Sequence, residues 1–219
     1  ITSGDDNTFI GYQTGTANTS GLSNTAIGSK AGFSLSTGSY NTFVGQSAGY
    51  NNVRNGSAQN VAVGWQALLG GSSSQARETV AIGANAVKSA AGCFDNVYIG
   101  QNAGYSVTSA GENVAVGYGA LYSEDAHDGN TAMGYFALQQ QNAGADVFNV
   151  GVGYRAGDSI TTGANNTIVG GKAGAALTTG ASNTVLGFEA LSTEDGHGKN
   201  TAIGYQALMT QNAGTDGEN

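Results

Sequence analysis

Two histidines, His127 and His197, are the residues of this chain best suited to chemistry. Each follows an acidic pair at equivalent places 70 residues apart, which gives the set Glu124, Asp125, His127, Glu194, Asp195 and His197. Imidazole and carboxylate groups bind a metal ion when they converge to about 2.0–2.2 Å from it. The alternative is a solvated loop that a duplication has copied. The solvated loop is the favoured interpretation, so neither a metal nor any other cofactor is predicted.

Two further patterns suggest specific activities. A hexapeptide, aliphatic-Gly-x-x-Ala-x, occurs as in residues 99–104. Trimeric left-handed β-helix acyltransferases use such hexapeptides, but they need three consecutive ones per turn, and only one fits here. A column of threonines suggests ice binding, although Val61, Val80, Val97, Val114 and Val150 interrupt it; its members are Thr8, Thr25, Thr42, Thr131, Thr167, Thr184 and Thr201. No catalytic residue is assigned, and a non-enzymatic role is expected.

The element that positions these residues is a repeat resembling Asn-Thr-Ala-Ile-Gly. It recurs every 17 or 19 residues and begins at Asn7, Asn24, Asn41, Asn60, Thr79, Asn96, Asn113, Asn130, Asn149, Asn166, Asn183 and Asn200. A fixed short period along a whole chain is typical of repeat proteins, in which each unit stacks on its neighbours. Seventeen residues are too few for a βαβ unit, which needs about 30. The period predicts an all-β fold, a parallel β-solenoid (β-roll) of about twelve 17–19-residue coils.

Each repeat starts with a short strand, because a β-branched residue follows the Asn and an aliphatic residue stands two places later. A polar return rich in Gly, Ser and Asn closes the coil. The asparagines should form a structural ladder that pairs along the solenoid or faces solvent, since an unpaired buried amide costs about 1–3 kcal/mol. The Ile/Val, Thr/Val and Ala positions are expected to supply the apolar interior.

Composition excludes several classes of function. The net charge is −8, and the seven Lys and Arg residues are scattered singly, whereas phosphate binding needs a cationic cluster. Nucleic acid is therefore not an expected partner, and no apolar run is long enough for membrane insertion. The chain begins without Met or a signal sequence and ends at a new repeat, which indicates a segment of a longer protein. It should form a single repeat domain over 1–219, with duplicated four-coil modules 7–78, 79–148 and 149–218.

Aromatic residues follow the repeat glycine in seven coils. They are Tyr12, Trp65, Tyr118, Tyr135, Tyr154, Phe188 and Tyr205. A lone thin coil would expose this stripe to water and would have little interior to offset about 1.5 kcal/mol of conformational entropy per residue. Packing against identical chains resolves both problems. We therefore expect an intertwined, parallel homotrimer in which these aromatics stack or line the trimer contact.

The unit Asn-Thr-Ala-Ile-Gly-Tyr-Gln-Ala-Leu at 200–208 resembles repeats of phage tail-fibre proteins and is similar to the head repeats of trimeric autotransporter adhesins, which are parallel β-rolls wound as trimers. The resemblance covers essentially the whole chain. It implies a structural fibre or adhesin segment that is extracellular, on a virion tail fibre or a bacterial cell surface. A cell-surface glycan or receptor is the expected ligand, with contacts at Tyr122 and at the returns 51–59 and 141–148.

Overall fold

The computed structural model describes residues 3–52, 56–71 and 74–210. Within these ranges the regular elements are short strands, and there is no helix. Residues 53–55 of the return 51–59 and residues 211–218 of the last four-coil module lie outside the described residues. The strands are β1 (Thr8–Ile10), β2 (Thr25–Ile27), β3 (Gly38–Ser39), β4 (Thr42–Val44), β5 (Gly56–Ser57), β6 (Val61–Val63), β7 (Val80–Ile82), β8 (Val97–Ile99), β9 (Val114–Val116), β10 (Thr131–Met133), β11 (Val150–Val152), β12 (Thr167–Val169), β13 (Thr184–Leu186) and β14 (Thr201–Ile203).

The chain forms two compact units, Ile1–Glu112 and Asn113–Asn219. In the first unit β1, β2, β4, β6, β7 and β8 form neighbouring parallel pairs in that order, and β3 pairs with β5. In the second unit β9 to β14 pair in sequence order, again parallel. Within each unit the strands pair with the equivalent strands of neighbouring repeats, which is the topology of a parallel β-solenoid. The predicted all-β solenoid of 17–19-residue coils is confirmed; the four-coil modules stay a prediction.

Coil positions are numbered here from the residue that starts each repeat, an Asn or Thr79. Position 5 is Gly in every repeat, and its φ lies between +126° and +141°. A side chain there would collide with the next coil: a Cβ on Gly45 would lie 2.5 Å from the Gly64 carbonyl oxygen. Both the left-handed backbone and the close approach therefore require Gly at this corner.

The interior of the coils is filled by one or two large apolar side chains whose positions vary, as with Ile168 at position 3 and Leu177 at position 12 of one coil, which are both fully buried. Where position 3 is large, as in Phe43, position 9 is Gly49, on which a Cβ would lie 2.6 Å from the Phe43 ring. Where position 3 is Ala132, position 9 is Leu138, and both are fully buried. Position 12 also points inward, and Leu35 there is fully buried after a Gly at position 9. Compensation also acts between neighbouring coils, since a Cβ on Gly151 would lie 2.7 Å from the Leu138 side chain of the preceding coil. Both kinds of compensation keep the interior close-packed.

One expectation about the interior is wrong. The alternation of side chains along each strand places position 3 inside and positions 2 and 4 outside. Ala81 is fully buried, whereas Ile82 at position 4 is 36% exposed and Leu186, also at position 4, is 49% exposed. The Ile/Val and Thr/Val columns therefore lie on the outer face, because a coil this thin has room inside only for the Asn, small residues and one or two large side chains.

Candidate functional site: the outer face, the asparagine ladder and the acidic-histidine loops

The outer face of each sheet carries two columns of exposed side chains. Position 2 is Thr or Val and position 4 is Ile, Val, Leu or Met, and parallel in-register pairing sets like residues side by side, as for Thr167 and Thr184. Met133 is 44% exposed and Leu186 49%. Monomeric soluble proteins rarely expose large contiguous apolar patches, so this face is a candidate contact surface.

The aromatic residues at position 6 stand just after this face along the chain, and all seven predicted aromatics are exposed, between 39% for Tyr118 and 73% for Tyr205. In the second unit Tyr118, Tyr135 and Tyr154 stack with ring centroids 5.3 and 5.4 Å apart and nearly parallel planes. Phe188 and Tyr205 stack at 5.9 Å. Tyr135 is stacked on both faces, so its ring edge is what it offers to a partner.

The asparagines at position 1 lie inside the coils and bond from coil to coil. Asn149 is fully buried, and its Nδ2 donates to the Gly163 carbonyl oxygen at 2.7 Å. Its Oδ1 accepts from the backbone N–H of Asn166 at 2.8 Å and from the Asn166 Nδ2 at 3.2 Å. The same bonds to the next coil are made by Asn7, Asn24 and Asn41 in the first unit and by Asn166 in the second, while Asn60, Asn113, Asn130 and Asn183 accept from the next backbone N–H. Asn96 and Asn200 are buried at the same position.

Thr79 replaces Asn in one coil, and Cys93 accompanies it. The Thr79 hydroxyl donates to the Arg77 carbonyl oxygen at 2.9 Å and lies 3.9 Å from the Cys93 sulfur. Cys93 is fully buried, and burial raises its thiol pKa to about 11. The thiol is therefore protonated and packs as a small apolar group rather than acting as a nucleophile.

The acidic-histidine loops are built around buried glutamates. Glu124 and Glu194 occupy interior position 12, and both are fully buried. The Oε1 atom of Glu124 accepts from the His127 backbone N–H at 3.1 Å and lies 2.7 Å from His127 Nδ1, and Glu194 makes the same two contacts with His197. Burial raises the pKa of the Glu124 carboxyl, and the hydrogen bond and charge of His127 act in the opposite direction. These loops are therefore folded inward rather than solvated.

Sequence reasoning missed one member of this cluster, Gln141. It occupies position 12 of the coil after Glu124, is fully buried, and its Nε2 donates to Glu124 Oε2 at 3.2 Å. Its Oε1 accepts from Asn149 Nδ2 at 3.0 Å, which joins the loop to the asparagine ladder. The equal spacing of Glu124 and Gln141 from their asparagines was the available signal. Gln211 stands at the matching place after Glu194, outside the described residues.

Among the described residues, one of the two sets of metal candidates brings three possible ligand residues close together. Ligand atoms of Glu194, Asp195 and His197 lie within 4.8 Å of one another. The Glu194 Oε1 to His197 Nδ1 distance of 2.7 Å is that of a hydrogen bond. Two ligands of one tetrahedral zinc ion would stand about 3.4 Å apart at the usual bond lengths. In this arrangement the carboxylate orients the imidazole, and the pair is not spread around an ion.

The predicted glycan contacts are only partly at the surface. Tyr122 is half-buried, and Gln141 and Val147 of the return 141–148 are buried, while Phe148 is 56% exposed. In the return 51–59 Asn51 is half-buried and Asn52 is fully buried. The returns thus contribute to the interior as well as to the surface.

Comparisons with protein-family models, with curated proteins and with solved structures found no match. The described part of the chain holds no helix with the length and apolar character needed to cross a bilayer.

Proposed function

We propose that this chain is a non-catalytic segment of an extracellular fibre in which three copies pack in parallel through their outer faces. The observation that carries the proposal is the exposed apolar surface at positions 2, 4 and 6. Met133, Tyr135 and Leu186 are each more than 40% exposed, which is unusual for residues arranged in regular columns. A partner that covers these columns would lower the free energy of the assembly through the hydrophobic effect.

Identical chains are the partners that fit this surface best. Each coil presents Thr or Val at position 2 and an aliphatic residue or Met at position 4. Copies packed in parallel and in register would therefore place like columns opposite one another. Three such copies around one axis are the simplest closed arrangement that turns the outer faces toward one another. The buried asparagine bonds and in-register strands within each chain would make such a fibre stiff.

A phage tail fibre is favoured over a bacterial surface adhesin, on the resemblance of the Asn-Thr-Ala-Ile-Gly-Tyr-Gln-Ala-Leu unit. In either setting the fibre attaches to a cell surface through repeated weak contacts. Many such contacts on one particle give an avidity far above the single-site affinity.

Native mass spectrometry of the chain tests the proposal. We expect a mass of three chains. The substitutions Met133→Asp and Leu186→Asp together place charges on the outer face and should reduce that mass to one chain. Gln140→Asp, at an exposed position off this face, is the matched control and should leave three chains. A single-chain mass for the unsubstituted protein at micromolar concentration would refute the trimer.

Ice binding is the second candidate. Thr167, Thr184 and Thr201 are exposed in adjacent strands on one outer face, which is the type of flat threonine array that the sequence suggested. A chain that is monomeric in solution and shows thermal hysteresis would favour this function. A three-chain assembly without thermal hysteresis would exclude it.

A further inference from the structure

The first unit contains an open groove of about 280 Å³ away from the outer-face columns. It is lined by Lys30, Ser47, Tyr50, Asn51, Gln66 and Leu69. It is large enough for one pyranose ring with its substituents.

The repeat itself forms the groove. Lys30, Ser47 and Gln66 all occupy position 7, in three successive coils, with φ between +56° and +59°. The serine in the middle is short, so it leaves a notch between the two longer side chains. These walls are two coil spacings apart, about 9.6 Å at the usual distance between paired strands. Tyr50, Asn51 and Leu69 close the notch on a further side.

The groove lies in a locally basic part of an acidic chain. No Asp or Glu occurs between Asp6 and Glu78, although the whole chain has 15 of them. Lys30 forms no ion pair with any described residue. In contrast, Lys172 occupies position 7 of another coil and lies 3.7 Å from a Glu189 carboxylate oxygen. An anion in the groove would therefore meet an uncompensated ammonium group and no nearby carboxylate within this stretch of sequence.

Polar atoms and an aromatic ring complete the groove. The Oε1 atom of Gln66 is buried and has no hydrogen-bond partner among the described residues. Asn51 Nδ2 donates to the Gly70 carbonyl oxygen at 3.1 Å, which leaves its Oδ1 to accept from a ligand. Tyr50 stacks on Phe33 with a centroid distance of 4.9 Å, so its ring is held in a fixed orientation.

We propose that this groove binds one carboxylated sugar residue, of the uronic acid type, in an acidic cell-surface polysaccharide. The carboxylate would pair with the Lys30 ammonium group, and a ring hydroxyl would donate to Asn51 Oδ1. A hydrogen bond to a charged group is stronger than a neutral one, so the Lys30 contact would favour an acidic sugar over a neutral sugar. The inference rests on the proposed attachment role, because it names the ligand of that role.

Ligand-observed NMR with galacturonic acid as the probe, and galactose as its neutral counterpart, tests this proposal. A ligand of this size at a shallow site binds with a Kd on the order of 1 mM, which the method detects. We expect galacturonic acid to bind at least tenfold more tightly than galactose. Salt should reduce the difference, because it screens an exposed ion pair.

Three variants locate the site. Lys30→Gln should lower the affinity for galacturonic acid at least tenfold. Ser47→Gln should abolish binding by filling the notch, and it should fold normally because Gln66 and Gln206 occupy the same position with the same backbone conformation. Lys172→Gln is the matched control and should bind like the unsubstituted chain.

Equal affinity for the two sugars, no binding at 20 mM, or unchanged binding by Lys30→Gln would each overturn the inference. The native mass of every sample separates it from the fibre proposal. A three-chain assembly that does not bind galacturonic acid would refute the groove proposal but not the fibre proposal. A single chain that binds it through Lys30 overturns the trimer and supports the groove.

Discussion

Replacing Asn149 by alanine should destabilise the second unit severely. The substitution removes four side-chain hydrogen bonds, two donated by Nδ2 and two accepted by Oδ1. Asn166 Nδ2 keeps a second partner, the Gly180 carbonyl oxygen at 2.9 Å. Three buried groups lose the partners described above: Gln141 Oε1, the Gly163 carbonyl oxygen and the Asn166 backbone N–H. At about 1–3 kcal/mol each, the cost is roughly 3–9 kcal/mol.

Urea unfolding followed by circular dichroism measures this cost, at one chain concentration so that association does not change the result. Since whole domains are stable by roughly 5–15 kcal/mol, the variant should be largely unfolded or unfold at much lower urea. Hydrogen exchange should show early loss of protection at Asn166 and its neighbours.

Asn142→Ala is the control, because the Asn142 side chain is exposed and its backbone N–H, which donates to Thr161, is kept. It should change the free energy of unfolding by less than about 0.5 kcal/mol. If Asn149→Ala cost no more than this control, the buried ladder would not contribute to stability and the reasoning would be refuted.

Three other predictions concern the interior. Phe43→Ala should cost about 3–5 kcal/mol by leaving a cavity, and Gly49→Leu should also destabilise, yet the double variant should recover most of the loss because it reproduces the Ala-and-Leu arrangement of other coils; a double-mutant cycle in urea measures the coupling. Cys93 should react with iodoacetamide at about pH 8 only as the chain unfolds, since a pKa of about 11 leaves roughly one thiol in a thousand ionised. Mass spectrometry measures the labelling rate, and a rate as high as that of a free thiol would contradict this prediction. The raised pKa of Glu124 means that the folded chain binds more protons than the unfolded chain, so this group's contribution to stability should fall as pH rises from the ordinary glutamate value through the raised one. Urea unfolding at about pH 4 to 7 should show a steeper fall for the unsubstituted chain than for Glu124→Gln, and identical slopes would exclude this role.

The repeat and its strands could be predicted from the sequence because the signal is local. An Asn followed by a β-branched residue, repeated at 17 or 19 residues, locates each strand, and β2 and β12 begin one residue after the Asn, at Thr25 and Thr167. The buried position of the asparagines was one of two alternatives that the sequence left open.

The sequence could not show which face of the strand lies inside. Side chains alternate along the strand, so Asn and Ala lie on one face and Thr and Ile on the other. Hydrophobicity alone favours the face with Thr and Ile for the interior. The decision depends on the width of the coil, which is set by where the backbone turns. The same width places Glu124 inside, at a position that is also buried where Leu35 or Ile160 occupies it. Hydrophilicity suggested a solvated loop at that position.

The in-register pairing of 17- and 19-residue coils has a consequence for how such a chain can evolve. Thr42 faces Val61 and Thr131 faces Val150 although two extra residues separate the members of each pair, so the added length is confined to the returns. Because every repeat pairs in the same register, unequal recombination between repeats adds or deletes whole coils without changing the register of the strands. Short insertions in the returns are equally neutral for the strands. The architecture can therefore change its length and its loops independently under selection.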